Sequence, residues 1–198
     1  DKLKANVGVR GTYYNLPNKW AVEPRLSLIF DPSKRHRIAL GYAMQSSEAP
    51  FRIYYQQFAI KDSLGATIGY ERLNTDVDLM RNHYATLEYT VKVSEFWQLE
   101  LMPYFRYWTS MPLDLIGSSP YHLANFESEQ FGDNGPSNKV TSVGKSTNYG
   151  VDLSVCRSFH KGYYMVGYLS YMKSSFRDKD NIERNTRFNR PYMTRILG

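Results

Sequence analysis

The sequence predicts an all-β fold, an antiparallel meander of about eight long strands forming part of a transmembrane β-barrel. Three features predict it: the alternation of short and long connectors, sustained two-residue periodicity, and a high content of aromatic rings. Strand character runs through residues 3–14, 20–30, 35–46, 82–93, 96–109, 148–157, 163–173 and 186–197. The connectors between these runs hold about 5, 4, 35, 2, 38, 5 and 12 residues, so tight turns and long loops alternate from the second connector onward. Tight turns at one end of the strands and long loops at the other are the layout of an outer-membrane barrel wall.

Taken in order, the runs place apolar and charged residues on opposite parities. In residues 22–30, Val22, Leu26, Leu28 and Phe30 oppose Glu23, Arg25 and Ser27. In 37–45, Ile38, Leu40, Tyr42 and Met44 oppose Arg37, Ala39, Gly41, Ala43 and Gln45. In 84–93, Ala85, Leu87, Tyr89, Val91 and Val93 oppose Tyr84, Thr86, Glu88, Thr90 and Lys92. In 97–107, Trp97, Leu99, Leu101, Phe105 and Tyr107 oppose Gln98, Glu100, Tyr104 and Arg106. In 149–155, Val151, Leu153 and Val155 oppose Gly150, Asp152 and Ser154. This is the pattern of half-buried strands, whose side chains alternate between two faces. The last two runs do not choose a face: 163–173 carries rings on both parities, and 186–197 mixes Phe188, Arg190 and Tyr192 with Met193, Arg195 and Leu197. Pro24 and Pro103 each lack an N–H for the ladder, so a bulge or irregularity is expected beside them.

Parity alone fits a soluble sandwich equally well, with charges outside and aliphatics inside. Strand length and loop asymmetry decide. A tilted strand needs roughly 9–11 residues to cross a bilayer, whereas strands of soluble proteins centre on about 5–6. Several runs exceed ten residues. The turns DPSK after Phe30, Ser94–Glu95, and SFHKG before Tyr163 are expected on the periplasmic side. Residues 47–81 and 110–147 are expected outside the cell, where binding contacts collect.

Composition agrees. Mean hydropathy is −0.52, and no apolar run is long enough for a spanning helix; barrel strands show only alternate side chains to lipid and do not raise the average. Aromatics make up 15% of the residues, with 17 Tyr, suiting the water–lipid boundary. The net charge of +6 is spread along the strands instead of forming a basic stripe, so no nucleic-acid partner is expected. Cys156 is the sole cysteine and no disulfide framework exists. The N-terminus, DKLKANVGVR, carries no secretory signal, so the chain is expected to be mature or truncated.

No enzyme is predicted. The phosphate-loop and nucleophile-elbow patterns are absent, and no acidic pair stands out as a catalytic dyad. His36, His83, His122 and His160 lack metal-ligand spacing and are expected to be solvated, so neither metal nor cofactor is expected. The candidate ligand contacts lie in the loops: Tyr54, Tyr55, Gln57 and Phe58 in PFRIYYQQF, and Tyr121 and Phe126 in the second long loop. Rigid rings lose little entropy on binding, and amides hydrogen-bond sugars or peptides. The plainer role is an outward extension of a strand for the first cluster and loop packing for the second. FRDKDNIER (176–184) is expected to form a solvated loop tip.

From Trp20 onward, WAVEPRLSL (20–28), HRIALGYAMQSS (36–47), NYGVDLSV (148–155), FHKGYYMVGYLSYMKS (159–174) and NIERNTRFNRPY (181–192) together resemble the barrel of TonB-dependent outer-membrane receptors from Bacteroidetes-type bacteria. Full-length members of this type often carry a carboxypeptidase-regulatory-like domain ahead of a plug. The resemblance implies a plugged barrel of about 22 strands, importing a scarce nutrient (glycan, peptide or metal chelate) with energy from the TonB complex, which acts through the plug. A surface lipoprotein is a candidate partner, and membrane lipid is the surrounding phase. The sequence has no plug or TonB-box segment and too few strands to close such a barrel. Residues 1–198 are therefore expected to be a partial barrel. The competing expectations are a complete eight-stranded barrel with a structural or adhesion role, and a soluble ligand-binding β-barrel with an apolar cavity.

If the apolar parity contacts hydrocarbon, Leu40→Arg or Leu101→Arg costs about 2–4 kcal/mol near the midplane. Outer-membrane fractionation with heat-modifiable gel migration is expected to show lost insertion for both variants, and near-normal insertion for Arg37→Ala and Glu100→Ala.

Overall fold

The computed structural model describes residues 2–115, 122–125, 136 and 138–198. In chain order the elements are β1 (Leu3–Tyr14), β2 (Lys19–Ser33), β3 (His36–Ser47), a helical turn α1 (Phe51–Tyr55), β4 (Phe58–Lys61), β5 (Thr67–Glu71), β6 (Met80–Lys92) and β7 (Trp97–Asp114). A single 3-10 turn (Leu123–Asn125) precedes β8 (Val140–His160), β9 (Tyr163–Arg177), β10 (Glu183–Asn185) and β11 (Tyr192–Leu197). One antiparallel sheet runs β1-β2-β3-β6-β7-β8-β9, and both β10 and β11 pair with the far edge of β9. The β4–β5 hairpin stands apart from it. Among the described residues β1 and β11 do not pair, so the sheet stays open at two edges.

Register fixes the faces, because directly opposed residues project to the same side. One row reads Leu3, Phe30, Ile38, Tyr89, Leu101, Leu153, Leu169 and Thr194 across eight strands. The interleaved parity holds Arg37 opposite Thr90, Thr90 opposite Glu100, Glu100 opposite Ser154, and Ser154 opposite Tyr168. The same ladders settle the two ambiguous runs. Met165, Gly167, Leu169 and Tyr171 of β9 join the apolar face, as do Tyr192, Thr194 and Ile196 of β11. Tyr168, Ser170 and Met172 join Met193 and Arg195 on the polar face.

Burial is inverted relative to a water-soluble domain. Leu40, Leu87, Leu101, Phe105 and Leu169 are 41–47% exposed, and Trp20 is 74% exposed. On the opposite parity Glu23, Asn82, Ser146, Ser170 and Ser174 are buried. A soluble ligand-binding barrel with an apolar interior is excluded by this arrangement. An apolar surface running across eight strands of the sheet is far beyond the scattered exposed hydrophobics of a soluble monomer.

The turns follow their chemistry. Lys161 and Gly162 sit at φ 52° and 87°, the two positive dihedrals a tight β8–β9 hairpin requires. At Pro103 the β6–β7 ladder skips Leu87 and Glu88 but resumes in the same register, an interruption without a bulge. Beside Pro24 the β2–β3 ladder ends at Arg25, and the Glu23 carboxylate accepts the Ser46 amide at 2.7 Å in its place.

Four expectations need correction. Strand β8 begins at Val140 rather than residue 148, and β7 reaches Asp114, so both ends of the second long loop are ladder. The hydroxyl-rich stretch from Thr141 to Thr147 offers no apolar alternation to reveal it. PFRIYYQQF is not a strand extension: Phe51–Tyr55 is a helical turn, in which the adjacent Ile53 and Tyr54 are both buried. The run 186–197 is strand only over Tyr192–Leu197, because Thr186–Pro191 lies outside the ladder and the preceding pairing, β10, falls at Glu183–Asn185. FRDKDNIER is not wholly a solvated tip, since Phe176 is buried at the end of β9 and Glu183–Asn185 pairs as β10.

Gly150 lies opposite Tyr104, and an added Cβ would collide with the Tyr171 carbonyl oxygen and the Tyr104 ring. At Gly41 the nearest obstacle is the Thr86 hydroxyl, a side-chain group that rotates away. Gly150→Ala is expected to lower stability by about 1–3 kcal/mol and Gly41→Ala by less, measured as urea midpoints in detergent.

Candidate functional site

The polar face of β6–β9 lines a cavity of about 500 Å³. Strand alternation sets out its wall. Tyr84, Arg106 and Asn148 form one row, Tyr104 covers Gly150 in the next, and Met102, Asp152, Ser170 and Met193 form a third. The Arg106 guanidinium lies 4.8 Å from the Tyr84 ring centre, a cation–π arrangement. The Ser170 hydroxyl donates to Asp152 at 2.5 Å. Ala124 of the 3-10 turn and Phe188, from the break between β10 and β11, border the cavity from outside the wall strands. Here rings and thioethers surround a few convergent polar groups, the usual makeup of a small-molecule site.

At the tight-turn end a second, wider cavity of about 810 Å³ is lined by Lys34, Arg35, Arg37 and Lys92 together with Asp31, Glu88 and Glu100. Its mixed charge suits a wet compartment, where ions hydrate cheaply. Such a surface holds water more readily than an apolar ligand.

The long-loop end carries its own small core of Ala49, Ile53, Tyr54, Val77 and Val140, with Leu16 and Leu123 packed against it. Polar groups, of which Asn74 is buried, stitch the loops to the sheet. Asn74 Oδ1 accepts the Val140 amide at 2.9 Å, the Ser142 hydroxyl accepts the Asp78 amide at 2.8 Å, and Lys19 Nζ sits 3.5 and 3.2 Å from Asp76 and Asp78.

The loop candidates scatter across this assembly. Tyr54 is 3% exposed and packs in the core, its hydroxyl accepting the Ala49 amide at 3.3 Å. Tyr55 is exposed, with Arg72 5.4 Å above its ring. Gln57 is exposed and Phe58, which opens β4, is half-buried. Tyr121 and Phe126 lie outside the described residues. Sequence reasoning missed the cavity residues Met102, Met172, Met193 and Phe188. The signal was present in the parity of Met102, which falls with Gln98, Glu100, Tyr104 and Arg106, but 163–173 and 186–197 had no assigned face.

One histidine also departs from expectation. His122 is 3% exposed instead of solvated. Its Nδ1 accepts the Ala124 amide at 3.0 Å, and its ring lies 4.8 Å from that of Phe176. Gly144 leaves room for the imidazole, because a Cβ there would stand 3.0 Å from Nε2. Burial lowers the His122 pKa from 6.5 to about 4, against the opposing pull of Asp178 and the backbone of Arg177 and Lys145. Among the other histidines, His36 and His83 bond to Tyr89 and Tyr42 hydroxyls at 2.8 and 2.9 Å, and His160 stacks on Phe96.

No protein-family model matches the chain, and no curated protein matches it. Among solved structures, the outer membrane transporter YddB from Escherichia coli is similar, with a TM-score of 0.70 at 12% identity over 98% of this chain and 28% of that one. The FrpB iron transporter from Neisseria meningitidis (F3-3 variant) is similar at a TM-score of 0.53 and 10% identity, over 83% of this chain and 21% of that one. At such identities the likeness is one of fold. The sheet has the barrel-wall fold of outer-membrane transporters and spans less than a third of either protein. The helices among the described residues include none long and apolar enough to cross a membrane.

Because the folded pKa of His122 lies below its unfolded value, the unfolded loop takes up the proton first as pH falls. Packing of residues 122–125 is expected to be fully present above pH 6.5 and lost progressively as pH falls through about 4. Hydrogen exchange at the Ala124 and Asn125 amides, corrected for intrinsic rates, is expected to lose protection by up to roughly a hundredfold across that window. His122→Phe is expected to flatten the profile.

Proposed function

We propose that this chain is a stretch of barrel wall in a receptor of the bacterial outer membrane, taking up a scarce nutrient with energy supplied through TonB. The observation that carries this reading is the inverted burial. Leu40, Leu87, Leu101 and Leu169 stand exposed on alternate positions while Glu23, Asn82, Ser146, Ser170 and Ser174 are enclosed on the opposite face. In water such a face would aggregate; against hydrocarbon it is at its lowest free energy. The pair Tyr13 and Trp20, with ring centres 5.1 Å apart at the long-loop end of the apolar face, fits an interfacial belt.

The two open edges favour a larger barrel over a closed eight-stranded one, since each exposes unpaired backbone groups that lipid does not satisfy. The likeness to YddB and FrpB supports a transporter wall. TonB coupling through a plug, a Bacteroidetes-type origin with a carboxypeptidase-regulatory-like domain, and a surface lipoprotein partner rest on the sequence resemblance. The exposed Tyr55 and Gln57, with the half-buried Phe58, are loop contacts for an arriving glycan, peptide or metal chelate. No step in this role makes or breaks a covalent bond.

Nitroxide labels at Leu99, Glu100 and Leu101 of the whole protein in bilayers test the wall directly. Oxygen collisions are expected to dominate at Leu99 and Leu101, and collisions with a water-soluble nickel complex at Glu100. Uniform nickel access would overturn the orientation. Retention of the whole protein by the periplasmic domain of TonB is expected, and its absence would remove the energy-coupled part of the reading.

A further inference from the structure

We propose that the 500 Å³ cavity on the polar face binds a small organic anion with a flat apolar body, and that Arg106 receives the anionic group. This deepens the uptake reading and rests on the wall orientation given there.

Arg106 is the reason for assigning an anion. Its guanidinium carbon lies 4.8 Å over the Tyr84 ring, a contact that holds the group at the cavity wall while its N–H donors are available to a carboxylate or another oxyanion. Among the described residues no acidic side chain pairs with it: the ion pairs there belong to Arg10, Lys19 and Arg184. Asp152 stands four positions along β8 from Asn148, the residue opposite Arg106, or roughly 13 Å at strand rise, and it already accepts from Ser170. Asn148 also lines the cavity and makes no side-chain hydrogen bond among the described residues, so its amide can join the guanidinium on one oxyanion. A cationic ligand would be repelled, and a neutral polyol would leave the guanidinium unpaired.

The remaining surface fits a flat apolar body. Met102, Met172 and Met193 offer thioethers that adapt to shape, and Trp108 and Phe188 supply faces for stacking. The volume lies within the range of small-molecule sites, roughly 300–1,000 Å³.

Phe188 does not hang loosely at this border. Thr186 donates to the Ser174 hydroxyl at 2.7 Å, Asn189 Oδ1 accepts the Ser174 amide at 2.8 Å, and Asn125 Oδ1 accepts the Arg187 amide at 2.7 Å. The break in the final strand and the 3-10 turn are thereby tied together over the cavity.

The test uses the whole protein in detergent and naphthalene-2-carboxylate as probe, with 2-naphthalenemethanol as its uncharged counterpart, followed by titration calorimetry. The carboxylate is expected to bind more tightly than the alcohol. Arg106→Gln should weaken the carboxylate at least tenfold and leave the alcohol unchanged. Phe188→Ala, which lies off the ladder and spares the wall, should weaken both probes alike. Equal binding of the carboxylate by wild type and Arg106→Gln would overturn the assignment. So would absence of binding to wild type, which would mean that the protein's own chain fills the cavity. Heat-modifiable migration and the Leu99–Leu101 label pattern report the wall separately: if they fail, the uptake reading falls, and if they hold while the probes do not discriminate, only the cavity assignment falls.

Discussion

Everything in this fold depends on backbone pairing that is complete across a sheet whose outer side is apolar. In hydrocarbon an unanswered N–H or C=O costs several kcal/mol, because no water is there to replace the missing partner. The ladder from β1 to β9 meets that demand with long, nearly in-register pairings. Its interruptions are informative for the same reason. Where the β2–β3 ladder stops next to Pro24, a carboxylate from Glu23 takes the Ser46 amide, held by Tyr14, whose hydroxyl reaches both Glu23 and the Ser46 carbonyl. A buried acid on this parity is thus a backbone substitute. Read by composition alone it would have seemed a mere lumenal charge.

The meander was legible because the central strands obey one rule strictly. From Ile38 through Val155, the lipid-side positions within the strand cores are aliphatic, aromatic, methionine, alanine or proline, apart from His83 in the Met44–His83–Tyr107 row, and the opposite parity collects the charges. Strand β9 escaped assignment because its polar face is itself aromatic: Tyr164, Val166 and Tyr168 are no less apolar than Met165, Leu169 and Tyr171. Only pairing breaks that symmetry. Leu153 opposite Leu169 decides β9, and Leu169 opposite Thr194 then decides β11. Face identity here is a property of the neighbouring strand, transmitted by register, and a single run read in isolation does not contain it.

The loop-side structure was less legible, for a different reason. Beyond the apolar band both faces of a strand meet water or other loops, so alternation ceases to be selected and β8 continues invisibly from Thr147 back to Val140. In α1, rings and β-branched residues favour extended backbone by propensity, yet Ile53 and Tyr54 are consecutive and both buried. An alternating strand sends neighbours to opposite sides; a helical turn can direct both into the same small core. Tertiary burial therefore overrode local preference, and Tyr54, one of the candidate ligand contacts, became part of the core.

The broken final strand brings these strands of reasoning together. A sheet edge is most economically finished by one continuous strand, and β9 offers an uninterrupted row from Val166 to Arg177 for it. The chain instead spends Thr186–Pro191 outside the ladder, and Pro191, having no N–H, marks where pairing resumes through its carbonyl on the Met172 amide at 3.1 Å. The lost ladder positions are offset by specific bonds to Ser174, so the excursion has a defined shape. It carries Phe188 across to the polar face, onto a cavity lined mostly by β6–β9, with Met193 of β11 and Ala124 of the 3-10 turn. A strand kept in the ladder would alternate its side chains between lipid and lumen and could not fold one over its neighbours. Departure from the pairing rule is what lets a wall strand contribute a border to a site, and it occurs at the long-loop half of the sheet, where the hydrocarbon demand for pairing relaxes.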